Sequence, residues 1–361
     1  MKKIIDEYPK EMRALVLHGV GDLRLETVPV PELTAGSVLL QVKACGICSS
    51  DRERVFVTGT YHFPTIPGHE FAGKIVAAAD DVDESLLGRR ASVFPMLPCM
   101  TCDACKKGQY AQCGSYNYFG SRCDGGFAEY LVVPVWNLVL FDETVPYATA
   151  ALSEPSAVSL HAVQIGAIQK SEAVAVVGTG TIAFLVGAFA KNLTDRVVIF
   201  GRSGDKLDYA KRLGFETVNL TDEAYREKAQ RLSGGDGFDV VFEAVGSNAT
   251  IERAVDLAGT FGRIVLLGNP KGDLAMEKNV YWSILRKQKK LMGSWNSSFS
   301  AQANDWATVA DWMKNSSFDF GQLITHRFSL DEYKEAFALI HGEKGREFLL
   351  KIMLEIGGED E

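Results

Sequence analysis

The sequence predicts a mixed α/β protein in which an irregular, β-rich domain accompanies a doubly wound parallel-sheet domain. A length of 361 residues corresponds to two domains at roughly 150 residues each, and 47% hydrophobic residues are enough for two cores. The pattern of the chain also changes near residue 171. Before that point short β-rich runs are broken by Gly, Pro and Asp, and after it strands alternate with helical segments.

The first part of the chain, from about residue 13 to residue 133, contains short apolar runs such as 13–18 and 37–42. Runs of this length, separated by turn residues, are typical of antiparallel, barrel-like domains with long loops.

The second part predicts a parallel sheet, because helical segments alternate with its apolar runs. The predicted strands are 174–177, 197–200, 217–219, 240–243, 264–267 and 291–293. The rest of the chain predicts helices near 305–314 and 331–341 and an apolar strand at 348–354. We expect this last segment to pack back on the first domain.

Composition and charge indicate a small-molecule partner. Lys and Arg number 38 against 46 Asp and Glu, and the net charge of −8 argues against binding to nucleic acid or to an anionic membrane. Residues 173–190 carry no charge, but glycines interrupt them, so a buried strand, a turn and a buried helix are predicted rather than a membrane span. Residues 1–11 lack the apolar core of a signal peptide, so we expect a cytosolic protein.

Four cysteines form the pattern C-x2-C-x2-C-x7-C. They are Cys99, Cys102, Cys105 and Cys113. Four thiolates at this spacing can surround one tetrahedral Zn²⁺ and close its coordination shell, which predicts a structural zinc site. An iron–sulfur cluster uses similar ligands, but the terminal x3-C-P of ferredoxin-type motifs is absent. Four unliganded core thiols are the remaining alternative.

A second group of metal-ligating residue types lies upstream and consists of Cys48, His69 and Glu70. A thiolate, an imidazole and a carboxylate leave the fourth position of a zinc ion open for water or substrate, as catalysis requires. A His-Glu pair taken alone is more often an ordinary core or surface pair. Asp51 is expected to accept a hydrogen bond from the ring of His69, and Ser50 is expected to relay a proton.

A glycine turn predicts a dinucleotide site after the first strand of the parallel sheet. The turn consists of Gly178, Thr179, Gly180, Thr181 and Ile182. Backbone N–H groups of such a turn, together with the N-terminus of the helix that follows, can hold a pyrophosphate. Alanine replaces the last glycine of the usual pattern, at position 183.

The end of the second predicted strand indicates NADP(H) as coenzyme, with NAD(H) as the alternative. Gly201 and Arg202 stand where an NAD enzyme carries an acidic residue for the ribose 2′-hydroxyl. The predicted donors to a 2′-phosphate are Arg202, Ser203 and Lys206. The alternative interpretation of Arg202 is a solvated surface charge. Further coenzyme contacts are predicted at Val245 and Gly268.

With both cysteine groups, the His-Glu pair and the glycine turn in this order, the sequence resembles the zinc-dependent medium-chain alcohol and polyol dehydrogenases over residues 12–354. The resemblance implies a GroES-like catalytic domain, 1–158 with 297–361, and a Rossmann domain, 159–296. It also implies two zinc ions per chain, one catalytic and one structural. A homodimer or homotetramer is implied as well.

The resemblance further implies roles in zinc-assisted hydride transfer between a carbinol carbon and the nicotinamide ring. Cys48 matches the catalytic cysteine of the family, and Ser50 would pass the proton outward. Glu154 stands at the acidic position that binds catalytic zinc directly or through water in the polyol dehydrogenases. Glu70 and Glu154 would bind the metal beside His69 or exchange with each other as its ligand.

Within this family, the segments YFGSR (118–122), DGGFAEY (124–130), ILR (284–286) and GSW (293–295) most resemble galactitol-1-phosphate 5-dehydrogenases. That similarity implies a polyol phosphate or ketose phosphate as substrate. An unphosphorylated polyol or a secondary alcohol is the alternative substrate, and a zinc-stabilised dinucleotide-binding sensor is the alternative outside enzymes.

Arginines near these motifs are candidates to receive a sugar phosphate. Arg122 is the first candidate, and Arg52 and Arg54 are two others. A surface charge is the alternative for each of them. Asn296 stands where sorbitol dehydrogenases place a substrate-binding arginine, and we count it as a candidate substrate contact.

Overall fold

The structure is a computed structural model that describes residues 3–4, 8–270, 272–342 and 348–357. It divides into two compact units, one formed by Met1–Glu154 with Ser298–Glu361 and the other by Pro155–Ser297. The boundaries proposed from the sequence, after residues 158 and 296, lie within a few residues of these divisions.

Among its described residues, the first unit begins with ten strands and three short helices. The strands are β1 (Lys3–Ile4), β2 (Glu11–Gly19), β3 (Asp22–Pro29), β4 (Ser37–Ile47), β5 (Glu70–Ala78), β6 (Arg90–Val93), β7 (Met96–Leu97), β8 (Asn117–Tyr118), β9 (Tyr130–Pro134) and β10 (Leu138–Phe141). The helices are α1 (Ser49–Glu53), α2 (Asp103–Lys106) and α3 (Tyr147–Ala151). A π-helical turn, Arg54–Thr58, directly continues α1.

The second unit alternates strands with helices, as the sequence predicts. The helices are α4 (Ser153–Gly166), α5 (Thr181–Lys191), α6 (Gly204–Arg212), α7 (Tyr225–Ser233), α8 (Asn248–Leu257) and α9 (Lys278–Arg286). The strands are β11 (Val174–Val177), β12 (Val197–Gly201), β13 (Glu216–Asn219), β14 (Phe238–Glu243), β15 (Ala258–Leu266) and β16 (Lys290–Gly293). Helix α4 starts within the last residues of the first unit.

The chain then returns to the first unit. It adds α10 (Asp305–Asn315), β17 (Ile324–Ser329), α11 (Tyr333–His341) and β18 (Lys351–Glu355). Strand β18 pairs antiparallel with β4, with Ile352 opposite Ile47, and parallel with β17. The expectation that the last strand packs back on the first domain is therefore confirmed, although residues 348–350 stay outside the ladder.

The main sheet of the first unit has the strand order β10-β6-β5-β4-β18-β17. Outside this order, β1 also pairs with β5, and β9 also pairs with β4. The pairing of β4 with β5 places Gly46 opposite Glu70, so the end of one strand meets the start of the next. The loops that follow β4 and precede β5 are thereby held side by side.

The sheet of the second unit is parallel, with the order β13-β12-β11-β14-β15-β16. From β11 the chain adds β12 and β13 on one side, and it then adds β14, β15 and β16 on the other side. Ligands of such sheets bind at the carboxyl ends of the strands near this switch point, between β11 and β14. All four residues of β11 are buried, so the strand appears in the sequence as a continuous apolar run.

The uncharged stretch 173–190 forms β11, the glycine turn and most of α5, in agreement with the prediction. Among the residues that the structure describes, no helix has both the length and the apolar character needed to cross a membrane.

Candidate active site

The three upstream residues predicted to bind a metal lie together. Cys48 follows β4 at the start of α1, and His69 precedes Glu70, the first residue of β5. One ligand atom from each of the three side chains lies within 4.8 Å of the other two. His69 and Glu70 are buried, while Cys48 is half-buried. A thiolate, an imidazole and a carboxylate form a donor set that suits zinc.

Asp51 orients the ring of His69, as the sequence predicts. Its Oδ1 lies 3.2 Å from Nδ1 of His69, and its Oδ2 accepts the backbone N–H of Cys48 at 3.0 Å. Burial raises the pKa of the Asp51 carboxyl, but His69 and Arg54 outweigh burial and hold the pKa at about 2. Asp51 is therefore an anion that accepts Nδ1–H, and this leaves Nε2 of His69 as the ring atom for a metal.

The carboxylate of Glu70 is also held by a lysine that sequence reasoning missed. Nζ of Lys351 lies 2.7 Å from Oε1 and 2.5 Å from Oε2 of Glu70, and both side chains are buried. Burial lowers the pKa of Lys351, but the Glu70 carboxylate outweighs this and raises it. The Glu70 carboxylate can take this position because residue 46 is glycine: a Cβ there would lie 2.3 Å from Oε2 of Glu70. A metal would share Glu70 with this lysine.

Replacing Lys351 with methionine is expected to lower the free energy of unfolding by about 3–5 kcal/mol, because the Glu70 carboxylate would stay buried without its cation. A matched control is Lys314→Met, which breaks an ion pair with Asp142 of similar length, 2.6 Å, at an exposed site. The control is expected to cost less than about 1 kcal/mol. Urea unfolding measures both changes, and equal losses would show that burial of the Glu70 pair is not the cause.

Glu154 lies outside the three-residue cluster but borders it. Its Oε1 accepts the hydroxyl of Tyr118 at 3.3 Å, and the ring of Tyr118 lies 5.8 Å from the ring of His69. Burial raises the pKa of Glu154, while the nearby His69 lowers it. Burial also raises the pKa of Tyr118, so its hydroxyl stays protonated and donates to Glu154.

Ser50 and Arg54 are linked at the edge of the cluster. Nη1 of Arg54 donates to Oγ of Ser50 at 3.1 Å and to Oδ1 of Asp51 at 3.0 Å. Nη1 carries two hydrogens, so its 3.4 Å approach to Nδ1 of His69 is a contact and not a third hydrogen bond. Arg54 is thus engaged by Asp51 and Ser50, and Arg52 forms an ion pair with Glu53. This disfavours both arginines as phosphate receptors.

The four cysteines predicted to form a structural site make up the second cluster that could hold a metal ion. The Sγ–Sγ distances are 3.9 Å for Cys99 and Cys105, 3.5 Å for Cys102 and Cys105, and 3.8 Å for Cys102 and Cys113. A tetrahedral zinc with Zn–S bonds of about 2.3 Å requires sulfur atoms about 3.8 Å apart. The Thr101 hydroxyl and nearby N–H groups lower the pKa of Cys99 to about 5, which favours the thiolate. The cluster therefore fits zinc and excludes disulfide bonding in this arrangement.

The glycine turn of the second unit has the geometry of an anion site. Gly178 adopts a φ of +135°, and its N–H donates to the carbonyl oxygen of Phe200 at 2.8 Å. Helix α5 begins at Thr181, and its N-cap, Gly180, supplies no side chain. No N-cap side chain competes for the N–H groups in the first turn of this helix, so a pyrophosphate fits there. Thr179, between the two glycines, is half-buried.

The predicted coenzyme residues beyond the turn lie at the same edge of the sheet. Gly201 ends β12, Arg202 and Ser203 are exposed, and Lys206 is half-buried on α6, where burial lowers its pKa.

Val245 and Gly268 follow β14 and β15, and Glu243 connects the two loops. Oε1 of Glu243 accepts the N–H of Val245 at 2.9 Å, and its backbone carbonyl accepts the N–H of Gly268 at 3.0 Å. Asn296 belongs to the second unit, has a φ of +58°, and accepts the Ser297 hydroxyl at 3.1 Å.

Known proteins share both units. The GroES-like domain of alcohol dehydrogenases matches residues 34–143, and the zinc-binding dehydrogenase domain matches residues 177–315. Galactitol 1-phosphate 5-dehydrogenase of Escherichia coli (strain K12) is 32% identical over 329 residues, which cover 90% of this chain and 95% of that enzyme. Erythritol/L-threitol dehydrogenase of Mycolicibacterium smegmatis is 31% identical over 360 residues, covering 94% and 97%.

A solved structure of a zinc-binding dehydrogenase is also similar to this chain. The crystal structure of a zinc-binding dehydrogenase from Sinorhizobium meliloti 1021 bound to NADP matches with a TM-score of 0.87 and 27% identity, and the match covers 96% of this chain and 100% of that one. These similarities remove the non-enzymatic sensor as an alternative. The chain belongs to the zinc-binding alcohol dehydrogenase family and is a zinc-dependent alcohol or polyol dehydrogenase with a GroES-like and a Rossmann domain.

Proposed function

We propose that this dehydrogenase interconverts a polyol phosphate, such as galactitol 1-phosphate, with the corresponding ketose phosphate and prefers NADP(H). The observation that carries the proposal is a clamped arginine, Arg122, near the metal-ligating residues. The similarity to an enzyme named for galactitol 1-phosphate supports the same substrate class.

The guanidinium of Arg122 contacts two aromatic rings. Its central carbon is 4.1 Å from the ring centroid of Tyr61 and 4.3 Å from that of Tyr116, and Nη1 donates to the carbonyl oxygen of Tyr116 at 3.2 Å. The two ring contacts and the hydrogen bond hold the guanidinium in place, and its remaining N–H groups then suit the oxygens of a phosphate. The ring of Tyr116 is 6.4 Å from the ring of Tyr118, which borders His69.

The side chains around the metal-ligating cluster have separate tasks in the proposed reaction. Zinc held by Cys48, His69 and a carboxylate of Glu70 or Glu154 would supply Lewis-acid polarisation of the substrate oxygen, and the nicotinamide would supply the hydride acceptor. Asp51 fixes the ring of His69. These roles rest on the donor atoms that lie within 4.8 Å of one another and on the buried Asp51 contact.

Ser50 is the group that we assign to proton transfer. Its Oγ accepts a hydrogen bond from Arg54, so its own hydroxyl hydrogen is available to another acceptor. A hydroxyl that accepts on one side and donates on the other can pass a proton outward during oxidation of the alcohol.

The preference for NADP(H) follows from the residues after β12. Gly201 offers no carboxylate to a ribose 2′-hydroxyl, and the exposed Arg202 and Ser203 and the half-buried Lys206 are available to a 2′-phosphate. In cells an NADPH preference would favour reduction of the ketose phosphate.

Initial rates with both coenzymes on a panel of polyols, polyol phosphates and ketose phosphates test the proposal. We expect galactitol 1-phosphate to exceed galactitol in kcat/KM by at least about tenfold, because each hydrogen bond to a charged group contributes roughly 1.5–3 kcal/mol. Replacing Arg122 with alanine should remove that advantage mainly through KM for the phosphorylated substrate, and the rate with the unphosphorylated polyol should change little.

The control variant is Arg24→Ala, which removes an exposed arginine paired with Asp22 at 2.7 Å. It is expected to leave the substrate preference as it is. Equal losses of Arg122→Ala on phosphorylated and unphosphorylated substrates would contradict a phosphate site at Arg122. A wild-type enzyme that prefers the free polyol would support the alternative function, which the similarity to erythritol/L-threitol dehydrogenase favours.

We also propose a homodimer or homotetramer that works in the cytosol. Strand β16 lies at the edge of its sheet with Leu291 exposed, and α9 exposes Tyr281, Trp282 and Leu285. An open edge beside apolar side chains favours association with a second copy, which the molecular mass in solution tests. None of the seven cysteines forms a disulfide bond, as is usual for a protein of the reducing cytosol.

A further inference from the structure

The carboxyl end of β12 contains a steric restriction. A Cβ built on Gly201 would lie 2.3 Å from Cγ2 of Thr179, whereas real Cβ contacts essentially never fall below 3.0 Å. Gly201 lies beside the glycine turn because the N–H of Gly178 bonds to the carbonyl oxygen of Phe200. The methyl group of Thr179 therefore occupies the space that a side chain at position 201 would need.

The neighbouring side chain, and not the backbone, requires glycine at position 201. Gly201 is not among the glycines with a positive φ, so other residue types can adopt its backbone conformation. The next contact, with Cδ2 of Leu207 at 3.2 Å, involves the end of a flexible side chain that can shift by a few tenths of an ångström. Thr179 is β-branched, so two of the three staggered positions on its Cβ carry heavy atoms. Rotation about χ1 therefore has few ways to relieve the clash with a Cβ at position 201.

Position 201 is also where NAD-type sites carry the carboxylate that binds the ribose 2′-hydroxyl. We propose that Thr179 is a positioning residue and a second determinant of coenzyme specificity. Its methyl group excludes a side chain at position 201, and the space on the 2′ side of the ribose therefore stays open for a phosphate. A carboxylate at position 201 is accommodated only after that methyl group is removed. This inference rests on the proposed preference for NADP(H) and adds the steric coupling between positions 179 and 201.

Four proteins test the coupling: the wild type, Thr179→Ala, Gly201→Asp and the double variant. Fluorescence titration gives the dissociation constants for NADPH and NADH, and calorimetry gives the Tm of each protein. We expect Gly201→Asp to bind both coenzymes at least about tenfold more weakly and to melt about 3 °C lower or more. The double variant should regain the Tm and bind NADH at least about tenfold more tightly than NADPH, whereas Thr179→Ala alone should still favour NADPH.

Gly201→Ala separates volume from charge, and it keeps the test valid if the aspartate variant folds poorly. Its Tm should fall in the presence of Thr179 and recover in combination with Thr179→Ala. The matched control is Gly204→Ala, since a Cβ there meets nothing within 4 Å and the Tm should stay unchanged.

Two results would overturn the inference. One is an equal Tm for Gly201→Ala and Gly204→Ala. The other is a single Gly201→Asp variant that binds NADH as tightly as the double variant does. A wild type that favours NADH would refute the proposed coenzyme preference, but the Tm values of the alanine variants would still measure the steric coupling by itself.

Discussion

Replacing Cys48 with alanine is expected to lower turnover at least about a thousandfold while the chain remains folded. Cys48 supplies the thiolate of the three-residue cluster, and Lewis-acid assistance worth about 4 kcal/mol corresponds to roughly a thousandfold in rate. The side chain is half-buried at the start of α1, so its truncation leaves a small cavity. Steady-state rates and zinc analysis measure the effect, and the zinc content should fall from about two ions per chain to about one.

The control for this variant is Cys123→Ala, which removes a half-buried thiol that belongs to neither metal-binding cluster. It should keep about two zinc ions and near-normal turnover. Near-normal turnover in the Cys48 variant would remove the catalytic role of that cluster.

Replacing Cys105 with alanine is expected to open the loop that carries the four cysteines. The Sγ of Cys105 lies within 3.9 Å of two other sulfur atoms, and the loop is otherwise closed at its base by the short ladder between β7 and β8. Structural zinc contributes its binding free energy directly to folding. A local loss of about 3 kcal/mol would raise the open fraction of the loop roughly a hundredfold.

Limited trypsin digestion measures that opening, because Lys106 and Lys107 are exposed on the same loop. Cleavage after these lysines should accelerate about a hundredfold in the Cys105 variant and remain at the wild-type rate in Cys123→Ala. A Cys105 variant that keeps both its full zinc content and its resistance to trypsin would contradict a structural site at these cysteines.

Most of the fold could be predicted from local patterns. Residues 174–177 form β11 with the predicted bounds because a buried parallel strand appears as an unbroken apolar run. Strand β15 begins at Ala258, six residues before its predicted start, since Gly259 and Gly262 interrupt the apolar run and glycine disfavours strands. The spacing of the four cysteines predicted their cluster because those residues lie on one short loop.

The candidate site was less predictable where it depends on residues far apart in sequence. The bond between Lys351 and Glu70 joins positions 281 residues apart, and the available signal was a lysine within an apolar strand. The rings that clamp Arg122 come from Tyr61 and Tyr116, and neither residue stands out in the sequence. The contact of Thr179 with position 201 likewise requires the register of β11 and β12.

The central claim is that one zinc ion binds beside Cys48 and His69 and a second binds within the four cysteines. Anomalous diffraction at the zinc absorption edge, from crystals of the zinc-replete wild-type protein, tests it most directly. We expect two peaks per chain, one surrounded by the four sulfur atoms and one bonded to Sγ of Cys48 and Nε2 of His69. A single peak at the four cysteines, with nothing between Cys48 and His69, would contradict it.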